Sequence, residues 1–172
     1  TDITSSLASE KGKSGKYFLF SKTYYEKSDW YGGFSYVDLL YPGVTQKFIE
    51  RTMTGYVKYL GTEIGKTIPG TFTDEPQIES SGGIRWTPDL FDFFMKEWNY
   101  DLRNHLPSLY EETGDWKRIR HNYTQTLLHM FIERWAKPWY TWCEEHGMKF
   151  TGHYWEHSWP SMQTGGDNMA MY

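Results

Sequence analysis

The feature that most constrains the fold is an alternation of short apolar runs with long stretches of helical periodicity. Residues 17–20, 33–40, 67–73 and 148–153 are short apolar runs, and each predicts a strand. Residues 168–172 resemble the beginning of another strand. Strands that alternate with helices long enough to cross a sheet are typical of parallel βα units. The sequence therefore predicts an α/β fold.

The helices between these runs are marked by apolar spacing and by their ends. Residues 44–64 predict an amphipathic helix that ends at Gly65. Thr87 is the expected N-cap of a further helix, because Pro88 follows it at the first helical position. A short helix is expected at residues 100–112, bent or divided by Pro107.

The longest helical pattern covers residues 115–137. We expect Pro138 to kink this helix, and a continuation that reaches His146 and ends at Gly147. Cys143 lies in that continuation, so we interpret it as a small buried apolar residue rather than a nucleophile. A single cysteine allows no internal disulfide.

Parallel strands joined by helices form either a doubly wound sheet or a barrel. No glycine-rich phosphate loop follows any predicted strand, which disfavours a nucleotide-binding sheet. A full barrel needs about 250 residues, and the chain has 172 residues. We therefore predict an incomplete (β/α)8 TIM-type barrel with long helical excursions. It spans residues 1–172 as a partial catalytic domain of a longer parent chain, and residues 1–15 form a loop or loosely ordered end.

Charge and composition exclude some functions. The net charge is −4, and the signs are mixed, so a nucleic-acid partner is not expected. No stretch approaches the roughly 18 apolar residues of a membrane helix, so a membrane partner is not expected either. Aromatic residues reach 19%, including 9 Trp and 14 Tyr. Aromatic rings with polar groups suit a cleft that binds flat, hydroxylated ligands. An oligosaccharide or glycoside substrate is consistent with this composition.

Polar residues follow three of the predicted strands. Asp38 ends one strand, Asp74 and Glu75 end the next, and the segment His153-Tyr-Trp-Glu156-His157 ends the last. The carboxyl ends of barrel strands converge on one face, where chemistry is built. Paired carboxylates there are what glycoside hydrolysis requires, one protonated and one ionised. We expect the like charge of Asp74 and desolvation to raise the pKa of Glu75.

Glu75 and Glu156 are therefore the candidate catalytic residues, although either can instead be a solvated loop charge. The candidate substrate-binding residues are the other polar and aromatic side chains at these strand ends: Asp38, Asp74, His153, Tyr154, Trp155, His157 and Trp159. A rival interpretation is a zinc hydrolase, because His153, Glu156 and His157 form an H-x-x-E-H string. That motif works on a helix, whereas Gly152 and Pro160 favour a strand that runs into a loop.

One family resemblance extends over residues 36–172. The segments FTDEPQI and WTPDLFDFFMKEWNYDLRNHLP resemble the central barrel of bacterial glycoside hydrolases, most closely the family 106 α-L-rhamnosidases. Asn99 stands where glycine is common, and RHNY at residues 120–123 replaces a more usual R-x-D-Y. The resemblance implies that Glu75 is the general acid and Glu156 the second carboxylate. It also implies an inverting mechanism, a possible bound Ca²⁺ that the chemistry does not require, and a periplasmic or secreted bacterial protein.

The sequence thus predicts a glycosidase that acts by paired-carboxylate acid/base catalysis on an α-L-rhamnoside type of substrate. The alternative from another class is a non-catalytic carbohydrate-binding protein on the same scaffold. In that case the aromatic rings bind the sugar and the carboxylates only form hydrogen bonds.

Overall fold

The computed structural model describes residues 2–76, 78 and 82–154. The α-helices are α1 (Val44–Leu60), α2 (Leu90–Trp98), α3 (Trp116–Phe131) and α4 (Lys137–Glu145). The strands are β1 (Gly70–Thr73) and β2 (Lys149–Gly152). Shorter 3₁₀ turns cover Thr4–Glu10, Asp29–Tyr31 and Leu102–Leu109, and a π-helical turn, Ile132–Ala136, joins α3 to α4.

The described residues form two compact units. The first unit is drawn from Thr1–Tyr36 and Pro88–Tyr123, and the second from Val37–Thr87 and Thr124–Tyr172. Helix α3 contributes its first half to one unit and its second half to the other. No helix among the described residues is long and apolar enough to cross a membrane.

The core of the first unit is built where α2, the Leu102–Leu109 turn and the start of α3 meet. Phe94, Leu102 and Ile119 are almost completely buried there. The ring of Tyr100 meets Phe94 edge to face, with centroids 4.9 Å apart. Each such buried apolar side chain contributes about 1.5–3 kcal/mol relative to an exposed one. This small core holds together elements that are each too short to be stable alone.

The second unit contains the sheet. Strands β1 and β2 run parallel, with Gly70 opposite Lys149 and Thr73 opposite Gly152. Gly70 permits this pairing, because a Cβ atom there would lie 2.5 Å from the carbonyl oxygen of Lys149. The predicted parallel pairing of residues 67–73 with 148–153 is confirmed.

Helix α4 covers this strand pair. The rings of Trp139 on α4 and Phe150 on β2 are stacked, with centroids 6.3 Å apart. Cys143 is fully buried, and its Sγ lies 3.3 Å from Oγ1 of Thr71 on β1. Burial raises the pKa of the Cys143 thiol, while the Thr71 hydrogen bond opposes that rise. The thiol is therefore kept neutral, and the prediction of a small buried residue is confirmed.

The helical prediction for residues 115–137 is also confirmed, and the structure explains the effect of Pro138. A proline ring conflicts with the carbonyl group four residues earlier, here that of Arg134. The chain forms its π turn at this point, and the Lys137 N–H donates to the carbonyl oxygen of Ile132. The wider turn relieves the conflict, so α3 and α4 follow one another without a break.

The barrel prediction is wrong. The described residues contain only two short parallel strands in one sheet, and most of their regular structure is helical. Residues 17–20 and 33–40 do not form strands. Leu19 in the first run is 91% exposed, and the second run pairs only through an isolated antiparallel bridge between Ser28 and Phe34. An apolar run becomes a strand only where another strand provides backbone partners, and no described strand lies beside these runs.

Two predicted helix ends also differ from the structure. Helix α1 ends at Leu60, and Gly65 follows in a turn with a φ of 75°. A Cβ atom on Gly65 would lie 2.7 Å from the carbonyl oxygen of His146, so only glycine fits there. Helix α2 begins after Asp89 rather than after Thr87. The Thr87 hydroxyl donates instead to the Asp38 carboxylate, at 2.7 Å. A tertiary partner has replaced the cap that the local sequence favours.

Candidate functional site

The candidate site lies at the carboxyl ends of β1 and β2, among described residues of the second unit. Because Thr73 is opposite Gly152 in the parallel register, the residues that follow them are neighbours. The His153 N–H extends the pairing by donating to the carbonyl oxygen of Thr73 at 2.9 Å. The strand pair thus brings Asp74 and Glu75 next to His153, as the sequence predicted.

The three polar side chains form a loose cluster. One ligand atom from each of Asp74, Glu75 and His153 lies within 4.8 Å of the other two. His153 Nδ1 is 3.7 Å from Oδ1 of Asp74, which is too long for a direct hydrogen bond. The Asp74 side chain is 80% exposed and that of His153 is 42% exposed. A solute can therefore reach both groups.

Gly152 makes this geometry possible. Its φ is 147°, a conformation that L side chains rarely adopt. A Cβ atom on Gly152 would lie 2.1 Å from the carbonyl oxygen of Thr73, the acceptor that positions His153. The signal was present in the sequence as a glycine immediately before the histidine.

Glu75 has an unusual backbone conformation. Its φ is 39°, and Asn99 is the only other non-glycine residue with a positive φ in the described chain. Such a conformation costs about 1–3 kcal/mol and persists only where the surroundings impose it. Pro76 follows and is buried, which fixes the chain directly after Glu75. The half-buried Glu75 side chain is therefore set by the fold rather than carried on a free loop.

An aromatic face borders the cluster. Phe72 lies on the face of β1 opposite to Thr71 and Thr73, because side chains alternate along a strand. Its ring is 62% exposed and meets the His153 ring edge on, with centroids 5.1 Å apart. Phe72 was not among the site residues predicted from the sequence. Its position two residues before Asp74 in a strand was the available signal.

Asp38 has a different environment. Its carboxylate accepts hydrogen bonds from the side chain of Arg85, from the Thr87 hydroxyl at 2.7 Å and from the Leu40 N–H at 3.0 Å. Arg85 is buried and forms an ion pair with Asp38. Both carboxylate oxygens are therefore occupied by protein donors. This arrangement supports a structural role for Asp38 rather than the predicted contact with substrate.

A second arginine supports the same turn. Arg134, in the π-helical turn, donates to the carbonyl oxygen of Leu40 at 2.6 Å. Neither Arg85 nor Arg134 was predicted from the sequence, since a lone arginine outside any motif gives no local signal. Their contacts link residues 38–40 to two distant parts of the second unit.

The remaining predicted site residues fall into two groups. Tyr154 is 6% exposed, and its ring packs edge on against Phe131, with centroids 6.0 Å apart, so it contributes to the core. The other four lie outside the described residues: Trp155, Glu156, His157 and Trp159. His153 itself follows strand β2 and is not on a helix, unlike the first histidine of a helical H-x-x-E-H motif.

The cluster does not match the Ca²⁺ that the family resemblance implies. Calcium takes six to eight oxygen ligands. The described residues at this site offer two carboxylates and one imidazole, and imidazole suits transition metals rather than Ca²⁺. Proximity of three such groups at an exposed edge is also common without any ion. No chemical step at this site is therefore derived through a metal.

Comparison with known proteins identifies no relatives. No family model, no curated protein and no solved structure matches the chain.

Proposed function

We propose that the protein is a glycoside hydrolase in which Glu75 is the general acid. The observation that carries the proposal is the register of β1 and β2, which gathers Asp74, Glu75 and His153 at one accessible strand end. The Glu75 side chain is half-buried and held by a constrained backbone, whereas its neighbours are open to a solute. A general acid needs such a fixed position within reach of the leaving oxygen.

The chemistry follows from these positions. Glu75 donates a proton to the glycosidic oxygen as the bond to the anomeric carbon breaks, and the leaving sugar departs as an alcohol. In the same step the second carboxylate accepts a proton from a water molecule, which attacks the anomeric carbon from the opposite face of the ring. By its resemblance to the α-L-rhamnosidases of family 106, the chain supplies Glu156 for this role. The resemblance also favours inversion, with a carboxyl separation of about 6.5–9.5 Å.

The neighbouring groups fit a sugar ligand. Asp74 accepts hydrogen bonds from hydroxyl groups, and His153 either donates or accepts according to its tautomer. Their separation of 3.7 Å lets one hydroxyl group interact with both. The exposed Phe72 ring provides an apolar face for the C–H side of a sugar ring. These three residues bind the substrate while Glu75 performs the proton transfer.

The test compares substrates that differ in their need for an acid. Glu75→Gln keeps the shape and hydrogen bonding of the side chain but removes the transferable proton. We expect it to lower kcat/KM by about 10²–10⁴-fold on an α-L-rhamnoside with a poor alkyl leaving group. The loss on the 2,4-dinitrophenyl glycoside should be much smaller, because that leaving group departs without protonation.

Glu145→Gln is the matched control, since Glu145 is an exposed glutamate near the end of α4. It should leave kcat/KM for both substrates within about twofold of the wild-type values. Equal losses on the two substrates with Glu75→Gln would instead make Glu75 a binding residue. Absence of hydrolysis across a panel of aryl glycosides would contradict the proposal as a whole.

A second candidate function is sugar binding without hydrolysis. The observation that favours it is the exposure of Asp74, His153 and Phe72, which together can bind a sugar without any acid. This function predicts that wild-type protein and Glu75→Gln bind a rhamnoside with equal affinity and that neither hydrolyses it. Isothermal titration calorimetry combined with product analysis separates the two candidates.

A further inference from the structure

A segment of the first unit combines positive charge with exposed aromatic rings. Residues 11–27, called here the basic aromatic strip, contain five lysines and one glutamate, a net charge of +4 in a chain whose total is −4. The strip also carries five aromatic residues: Tyr17, Phe18, Phe20, Tyr24 and Tyr25. The chain is therefore acidic overall but contains one basic segment.

The strip is extended and open to solvent. Residues 16–27 belong to no helix or strand, and nearly all of them are exposed. Leu19 is 91% exposed and Tyr24 is 75% exposed. Neighbouring exposed apolar side chains are typical of surfaces that bind a ligand or a partner.

The strip is nevertheless attached to the first unit. Lys16 Nζ lies 2.6 Å from Oε2 of Glu111, and the Phe20 ring lies 6.0 Å from that of Tyr110. Phe18 stacks on Phe20, with centroids 6.4 Å apart. These contacts hold the rings in place, so their exposure is a property of a fixed surface rather than of a free end.

Charges and rings alternate along the strip. Lys16 lies over the Phe18 ring at 5.0 Å, and Lys22 lies over the Tyr24 ring at 4.7 Å. Lys13 is paired with Glu10 and Lys16 with Glu111, whereas Lys11 and Lys27 have exposed side chains at the two ends. A ligand that fits this pattern carries negative charges at intervals along an extended backbone and flat apolar faces between them.

We infer that the basic aromatic strip binds an anionic polysaccharide, a polymer of uronic acid type. Its carboxylates complement the lysines, its ring faces pack against the aromatic side chains, and its hydroxyl groups bond to the tyrosine hydroxyls. The choice of a polysaccharide rather than another polyanion rests on the proposed glycosidase function. The strip then deepens that function by retaining a charged polymer on the first unit, independently of hydrolysis at Glu75.

The test measures binding directly, with the full chain and no dependence on turnover. Affinity electrophoresis and calorimetry would use polygalacturonate as the probe. Its fully methyl-esterified form has the same backbone without the charge. A single-stranded oligothymidylate and vesicles with 30% anionic lipid test the two other classes of polyanion. Wild-type protein should bind polygalacturonate, with an affinity that falls as salt is raised.

The charge of the strip is tested by the triple variant Lys11→Gln, Lys22→Gln, Lys27→Gln. Three partly screened charge contacts correspond to a loss of affinity of about tenfold. The matched control changes three exposed lysines outside the strip, Lys58, Lys96 and Lys117, to glutamine. It alters the net charge equally and should change affinity by less than twofold. Tyr24→Ala should weaken binding by about fivefold without altering the salt dependence.

Each outcome decides the inference. Loss of polygalacturonate binding in the strip variant alone supports it, and so does unchanged binding by Glu75→Gln. Equal binding of the esterified polymer, tighter binding of oligothymidylate or vesicles, equal loss in the control variant, or no binding at all would overturn it. Hydrolysis of aryl glycosides without polymer binding would refute the strip and leave the proposed function standing. Polymer binding without hydrolysis of aryl glycosides would refute the proposed function and leave the binding role of the strip standing.

Discussion

Asp38 and the Asp74–Glu75 pair lie in two regions with different environments. Both were predicted as site residues by the same pattern, an acidic residue at the end of a predicted strand. Asp38 accepts hydrogen bonds from Arg85, Thr87 and a backbone N–H. Asp74 is 80% exposed, and its Oδ1 lies 3.7 Å from Nδ1 of His153. A carboxylate whose oxygens are occupied by protein donors stabilises the fold, whereas an exposed one remains accessible to a ligand.

The comparison shows that the position of an acid after an apolar run does not define its role. The partners define it, and they come from distant parts of the chain. Arg85 and Thr87 lie almost fifty residues after Asp38, and His153 lies about eighty residues after Asp74. Separating a structural acid from a functional one therefore requires the tertiary structure.

The largest expected difference between the two regions is in their contribution to stability. Asp38→Asn leaves the buried Arg85 guanidinium without its counter-charge, and we expect the free energy of unfolding to fall by about 3–4 kcal/mol. Asp74→Asn is the matched change at an exposed site and should alter stability by less than about 0.5 kcal/mol. Urea titrations of both variants measure the difference. Equal stabilities of the two variants would remove the distinction between the regions.

A smaller effect is expected at the turn that positions His153. Gly152→Ala forces a Cβ atom against the carbonyl oxygen of Thr73 in a backbone conformation that only glycine adopts readily, at a cost of about 2–3 kcal/mol. Gly82→Ala is the control, since Gly82 has a φ of 117° and no atom of the described residues lies within 4 Å of its Cβ position. It should cost only about 1 kcal/mol. Thermal unfolding distinguishes steric contact from backbone strain, and equal losses would show that contact at Thr73 is unimportant.

The smallest effect concerns Asp101, an acid held by donors at the surface of the first unit. It accepts hydrogen bonds from the Arg103 side chain and from the Arg103 N–H at 2.9 Å. These hydrogen bonds lower the pKa of Asp101 below its ordinary value. The stabilisation is therefore present above about pH 4 and is lost as pH falls through the lowered folded-state pKa.

We expect Asp101→Asn to be less stable than wild type by about 0.5–1 kcal/mol at pH 7, with the difference shrinking as the pH falls through the lowered pKa of Asp101. Unfolding curves at several pH values measure this. A difference that is constant with pH would show that the carboxylate charge of Asp101 contributes nothing.

Local sequence patterns predicted much of this structure correctly. The helical spacing after Val44 predicted α1, and the long pattern from Asp115 predicted α3 and its interruption near Pro138. The pairing of residues 70–73 with 149–152 also followed from the alternation. Since parallel strands end on the same side, that pairing was sufficient to place Asp74 and Glu75 beside His153.

Other features depend on partners that no local pattern specifies. The run at residues 17–20 has the composition of a buried strand, but no described strand lies beside it, and its rings contact one another and Tyr110 instead. Thr87 has the context of a helix cap but bonds to Asp38. The inference of a whole barrel required partner strands for these runs, so it gave the wrong fold class. The proximity of Asp74 and Glu75 to His153 required only the pairing of β1 with β2.

The central claim is that Glu75 is chemically active and Asp38 is structural. The most direct test measures kcat/KM per folded molecule and the free energy of unfolding for Glu75→Gln and Asp38→Asn side by side. We expect opposite patterns. Glu75→Gln should lose at least about 100-fold in kcat/KM on a poor leaving group with stability within about 1 kcal/mol of wild type. Asp38→Asn should lose about 3 kcal/mol with kcat/KM within about threefold. Full activity in Glu75→Gln, or a stable Asp38→Asn protein that has lost activity, would contradict it.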